Sequence, residues 1–271
     1  MKIYIRILGR KMHNMISVFL NRFLIFLLVF IMMISIFVIS PIFSRRNIPS
    51  YLKVGLALFC TFTIAPLLGS IQIDYNLMSY TILVIKEFVV GITLGFVSYL
   101  VFASLLIAGQ IMDVQIGFGM VNVLDPINNI QVPLIGNFLY LLATNIFLIT
   151  NGHHIMLVAM VKSYAMVPIN GFFLTDKLVN NILRIFIESF VIGFKISIPI
   201  IAAVLLSEVA LGILSRTVPQ MNVFIVGLPM KITIGLLSLI FIMPTFANVL
   251  DFIFDKLYAY ISIILQSMTK G

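Results

Sequence analysis

Six charged side chains stand inside long apolar runs of this sequence: Lys86, Glu87, Glu188, Lys195, Glu208 and Lys231. At the centre of a lipid-embedded helix each would cost about 2.5–3.5 kcal/mol, so each must face protein or water. Carboxylates and amines placed this way have two uses. They can line a polar route for protons or substrate, or they can form buried ion pairs that set helix register and hold subunits together. Lys86 and Glu87 are adjacent, and Glu188 and Lys195 are two helical turns apart and so share a face. Opposite signs this close favour the ion-pair reading. No chain of acids of the kind a proton pump uses runs through the sequence.

A second group has a different chemistry. Gly109 to Pro126 is too polar to lie in lipid and too apolar for a solvated loop. Non-helical backbone at membrane depth persists only inside protein or beside a water-filled cavity. Gly117 and Gly119 flank Phe118, so the chain can bend sharply there. Ile116, Phe118 and Met120 offer a compressible apolar constriction, which gates by excluding water. An ordinary re-entrant packing loop fits the same residue types equally well. His153-His154 is a poor metal site, because adjacent histidines do not share a helix face and no acid or cysteine stands at ligand spacing. No nucleophile–histidine–acid arrangement and no phosphate-binding loop is legible, so the chain is not expected to be an enzyme or to carry a cofactor.

The elements that hold these residues follow from composition. Of 271 residues 62% are hydrophobic and 10% charged, against about 25% charged in an ordinary soluble domain. The mean hydropathy is +1.19. A soluble core of this length cannot absorb so much apolar side chain, which leaves the integral-membrane class. Cys60 is the single cysteine and excludes an intrachain disulfide framework. The net charge of +8 does not point to nucleic acid, because the basic residues gather at the N-terminus without interleaved aromatics. Lys2, Arg6, Arg10, Lys11 and Arg22 read as a cytoplasmic anchor beside anionic lipid.

Apolar stretches run over 23–43, 53–69, 77–108, 133–149, 155–167, 185–214 and 224–250. They lack barrel-like alternation, so the expected fold is all-α, with about six membrane segments. The stretch 23–43 is too long for a signal peptide. Asn151-Gly152 is a turn signal, 176–184 is a polar interruption, and Gly91-x-x-x-Gly95 has the small-residue spacing that lets two helices approach. With the N-terminus inside, Lys162, Lys177, Arg184, Lys256 and Lys270 join the basic cluster on the cytoplasmic side, against Arg45, Arg46, Lys53 and Arg216 outside.

Two stretches carry a family resemblance. One is Ala108 to Pro126, running on through Gln131-Val-Pro133 and Phe138-Leu-Tyr140 to Asn151-Gly-His-His154. The other is Glu208 to Phe224, with its Arg-x-x-Pro-Gln-x-Asn-Val-Phe run from Arg216, followed by Gly227-Leu-Pro-Met-Lys231. Both resemble the FliR family of flagellar biosynthetic proteins, from about Phe23 to Leu250. The T component of virulence injectisomes shares much of this pattern, and Gly-Leu-Pro-Met-Lys tilts it to the flagellar branch. The resemblance divides the chain into a basic extension (1–22), an export-gate domain (23–250) and an amphipathic tail (251–271).

The resemblance implies a core subunit of the flagellar type III export gate in the bacterial inner membrane, within the basal body. One copy would join FliP and FliQ in a helical assembly around a pore, with FlhB alongside and unfolded flagellar subunits passing through. Much of the assembly would be lifted out of the bilayer plane, so that the apolar segments become long hairpins packed on partners. Gln110, Met112, Ile116, Gly117, Phe118, Gly119, Met120 and Asn122 would form the luminal plug, Phe118 and Met120 obstructing and the two glycines hinging. Lys86, Glu87, Glu188, Lys195, Glu208, Arg216 and Lys231 would be structural charges facing partners. The rival from composition alone is a stand-alone secondary transporter or channel, but the two halves show no matching pair of interrupted segments.

Overall fold

Every regular element among the described residues is a helix. The computed structural model describes residues 2–44, 48–69, 73, 76–118, 133–218 and 223–269. In chain order the helices are α1 (Lys2–Ile39), α2 (Ser50–Ile64, extended by a 3-10 turn Ala65–Leu67), α3 (Leu77–Ile116), α4 (Leu134–Ile149), α5 (Gly152–Met166), α6 (Asp176–Thr217) and α7 (Val223–Ser267).

Several boundaries differ from the sequence expectation, each for a physical reason. Helix α1 runs through residues 22 and 23 without a break, since nothing there removes a backbone donor. Helix α3 continues past Ala108 to Ile116, so the first part of the glycine-containing segment is helical. The polar stretch 176–184 is the opening of α6. Its acid Asp176 lies in the first turn and the basic Arg216 in the last, both favourable to the helix dipole. The side chain of Thr175 accepts the Leu178 N–H at 3.1 Å and so caps that helix. The tail expected from 251 is the continuation of α7.

Among the described residues five helices are long and apolar enough to cross a membrane, or up to six if α4 and α5, bent by 72°, count as one broken span. Helix α3, at 40 residues, is about 60 Å long, twice a bilayer core of about 30 Å. The bend between α4 and α5 falls at the expected turn. There Asn151 takes the left-handed conformation (φ 59°), which an asparagine tolerates better than most residues.

The chain forms two compact units. The first comprises residues 1–99, 154–181 and 261–271. Its core is the α1 stripe Leu28, Val29, Met32, Met33, Ile36 and Phe37, whose spacing puts all six on one helical face. Helix α3 packs on that stripe through its two spaced glycines. A Cβ on Gly91 would meet the Met32 carbonyl oxygen at 2.5 Å, and one on Gly95 would meet Ile39 Cβ at 3.1 Å. Near the other end of the chain, the Phe173 N–H donates to the Met268 carbonyl and the Thr175 hydroxyl to the Ser267 carbonyl, closing the C-terminus of α7.

The second unit comprises residues 100–153 and 182–260. Its centre is an edge-to-face aromatic cluster, Phe102 against Phe147 (5.5 Å) and Phe147 against Phe254 (5.0 Å). Close backbone contacts tighten it. A Cβ on Gly109 would fall into the Gly136 backbone, and one on Gly193 would meet the Ser104 carbonyl oxygen at 2.7 Å. The outer faces are apolar: only 28% of the α6 apolar window and 11% of that of α7 is buried. Such surfaces are at home only against lipid or another protein.

Candidate functional site

The segment joining α3 to α4 begins from a tightly fixed base in the second unit. Met112 and Ile116 point into the core and are almost wholly buried. A Cβ on Gly235 of α7 would meet Ile116 Cγ1 at 2.5 Å, so this glycine makes the room that Ile116 fills. Gln110 lies on the exposed side of the same helix. Met112 and Ile116 are therefore foundations of the segment. Ile116, expected in an apolar constriction, has its side chain packed against α7.

Helix α3 stops at Gly117. The N–H groups of Gly117 and Phe118 both donate to the Asp113 carbonyl, at 3.1 and 2.9 Å, and Gly117 has φ +100°. This is the left-handed glycine stop that ends many helices. A side chain at 117 would be strained by the backbone and would also meet Leu228 Cδ1 at 2.9 Å. Phe118 is half-buried. Gly119, Met120 and Asn122 lie outside the described residues.

The carboxylate of Asp113 does a second job. Both oxygens accept the Ile135 N–H, at 3.1 and 3.2 Å. Ile135 is in the first turn of α4, whose preceding Pro133 offers no side-chain cap. The four unpaired N–H groups of a helix start carry a partial positive charge and favour an anion there. One residue thus terminates α3 through its carbonyl and caps α4 through its side chain, so both feet of the 117–133 segment rest on Asp113. Nothing in the residue pattern around Asp113 marks it for this role. The available signal was a helix start after Pro133 with no acid in its first turn.

The structural charges sort differently from their spacing. Lys86 and Glu87 diverge: Lys86 Nζ donates to Asn170 Oδ1 at 2.7 Å and lies over the Phe173 ring, while buried Glu87 accepts from the Tyr164 hydroxyl at 3.1 Å. The expected Glu188–Lys195 pair does not form. Glu188 instead pairs with Arg184 and Lys256, both at 3.8 Å, and accepts from the Tyr260 hydroxyl. Arg184, one turn before Glu188, and Lys256 and Tyr260, one turn apart on α7, reach the carboxylate first. Lys195 is exposed and has no ion-pair partner among the described residues. Glu208 of α6 and Lys231 of α7 form an ion pair within the second unit. Arg216 is exposed, again with no ion-pair partner among the described residues.

Comparison with known proteins gives a consistent set of relatives. The model of a family described as bacterial export proteins, family 1, matches residues 23–257. The chain is 37% identical over 242 residues to the flagellar biosynthetic protein FliR of Bacillus subtilis (strain 168), covering 87% of this chain and 92% of the relative. It is 28% identical over 229 residues to the protein of that name from Escherichia coli (strain K12), covering 84% and 88% of the two chains. It is 28% identical over 249 residues to that of Aquifex aeolicus (strain VF5), covering 91% and 96%.

Proposed function

The chain belongs to the bacterial export proteins, family 1, and from that membership we propose that it is a core subunit of the flagellar type III protein export gate. The observation that carries the proposal is the reach of the likeness: nearly the whole chain aligns with nearly the whole of relatives that bear the flagellar name FliR. Those names favour the flagellar branch over the injectisome T component. The long apolar helices suit a membrane protein of the flagellar apparatus, and the inner membrane is the compartment we assign.

In this reading one copy assembles with FliP and FliQ around a pore, with FlhB beside it, and unfolded flagellar subunits pass through. The exposed apolar faces of α6 and α7 are what such an assembly would cover. The chain catalyses no reaction itself; the proton motive force and a separate ATPase drive transport. The segment after Gly117 is the luminal plug, with Phe118 and Met120 as its obstructing side chains. Support comes from the base: Asp113 holds both feet of the segment, and Gly117 supplies a turn that other residues resist. A plug needs such a fixed mount with a bendable joint beyond it.

Copurification tests the assembly. A tagged chain extracted in mild detergent is expected to bring FliP and FliQ with it; recovery alone or as a homo-oligomer sinks the export-gate reading in favour of a transporter. Conductance tests the plug. Cells carrying Phe118→Ala with Met120→Ala are expected to leak small ions while the complex keeps its subunits. Ion conductance equal to wild type sinks the plug assignment without touching the family.

A further inference from the structure

Helix α6 has two sides in the second unit. Gly193, Ser197, Ile200 and Val204 are buried, and the Ser197 hydroxyl turns back to the Phe194 carbonyl at 2.8 Å. Successive helical residues turn by about 100°, so the side facing away from this inner stripe carries Val191, Lys195, Ile198, Ala202, Leu206 and Val209. All six are exposed. Steps of three and four residues keep them in one line, the pattern along which one helix lies against another. Five of the six are apolar, and an apolar stripe of that length calls for a cover.

Lys195 is the one charge in the stripe, and the chain does not answer it. The positions three and four residues away hold Val191, Ile192, Ile198 and Pro199, none of them acidic. Glu188, two turns back, is held by Arg184, Lys256 and Tyr260. Lys195 stands near the middle of a 42-residue helix, about 30 Å from either end, too far for its stem to carry the ammonium to a polar terminus. Pro199 adds a second polar group at the same level. It has no N–H, so the helical bond to the Lys195 carbonyl is not made. A wholly apolar helix laid on this stripe would bury an unmet donor and an unmet acceptor together, which is costly. A single polar position in such a seam selects the partner and its register.

We propose that this stripe docks a helix of a different subunit, apolar along its facing side except for one Asp or Glu, whose carboxylate pairs with the Lys195 ammonium. The inference deepens the export-gate reading and rests on it, since that reading packs the apolar helices on partners. The stripe supplies contact area, and the ion pair supplies register: a slip of one turn leaves two opposite charges buried apart.

The experiment uses the native complex purified through a tag on the full-length chain. A zero-length carbodiimide joins an amine only to a carboxylate it touches. The Lys195 peptide is expected to be recovered coupled to an Asp or Glu within an apolar segment of another subunit. Lys195→Arg keeps the charge and is expected to keep wild-type subunit recovery while the cross-link disappears. Lys195→Met is expected to lower recovery of that subunit at least about tenfold, as removal of one member of a buried interfacial pair does. It should leave the melting temperature of the isolated chain unchanged. Ala202→Phe tests the stripe without touching the charge: the side chain points away from the chain's own core, and recovery is expected to fall in the same way. Subunits recovered at wild-type level with Lys195→Met or with Ala202→Phe overturn the proposal. So does coupling of Lys195 to an acid of its own chain or of a second copy. Subunits that copurify with the wild-type chain while Lys195 stays uncoupled overturn the pairing and leave the export-gate reading standing. A wild-type chain recovered alone overturns both.

Discussion

Asp113 and Gly117 show how much a single residue settles here. The Asp113 carboxylate is buried and accepts a helix-start N–H, while its carbonyl ends the preceding helix. Asp113→Ala leaves the start of α4 without its acceptor. It is expected to destabilise the second unit by about 1–3 kcal/mol, read as a lower melting temperature of the detergent-purified chain. Asp113→Asn keeps an acceptor and is expected to lose less; a loss equal to that of Asp113→Ala would mean that the charge at the helix start, and not the hydrogen bond an amide oxygen can keep, carries the effect. Gly117→Ala places a Cβ at φ +100° and near Leu228. A cost of about 1–2 kcal/mol follows from the backbone alone.

Packing between helices rests on glycines whose contacts differ sharply. Gly91 brings α3 against the backbone of α1, where a Cβ would meet the Met32 carbonyl oxygen at 2.5 Å, while at Gly95 the nearest atom, Ile39 Cβ at 3.1 Å, would have to give only slightly. Gly91→Leu is expected to cost at least about 1–3 kcal/mol through overpacking and to make the first unit protease-sensitive. Gly212, on α6, is the control: a Cβ there meets nothing within 4 Å. Gly212→Ala is expected to stabilise the helix by up to about 1 kcal/mol. A melting temperature lowered by both substitutions alike would show that helix contact is not what distinguishes them.

For the whole molecule, the charges separate what holds the chain from what joins it to others. Glu208 and Lys231 satisfy each other within the chain, and both are about a third exposed. Solvent limits such a pair to about 1 kcal/mol or less. Glu208→Ala is therefore expected to leave the isolated chain nearly as stable, and a swap of the two charges is expected to restore whatever is lost. Lys195 and Arg216 are exposed and have no ion-pair partner among the described residues. Lys195→Glu or Arg216→Ala is expected to reduce recovery of copurifying subunits without shifting the melting temperature of the chain. Full subunit recovery in both variants would remove these cations from the interface.

The amino-acid sequence by itself determined the membrane class, the all-helical architecture, the family and the turn at Asn151-Gly152. These follow from local quantities: apolar run length, the absence of alternation, and a few motifs whose residues are neighbours in the chain. It also supplied Gly91 and Gly95 as candidates for close approach. Only the tertiary structure decided which helix they meet, and that Glu188 binds Arg184, Lys256 and Tyr260 rather than Lys195. It likewise decided that Lys86 and Glu87 part company, and that Asp113 reaches across to Ile135. Spacing along one helix fixes which side chains share a face. A carboxylate takes the donor that arrives nearest, and that donor often comes from a segment remote in the chain, brought in by packing that no local pattern encodes.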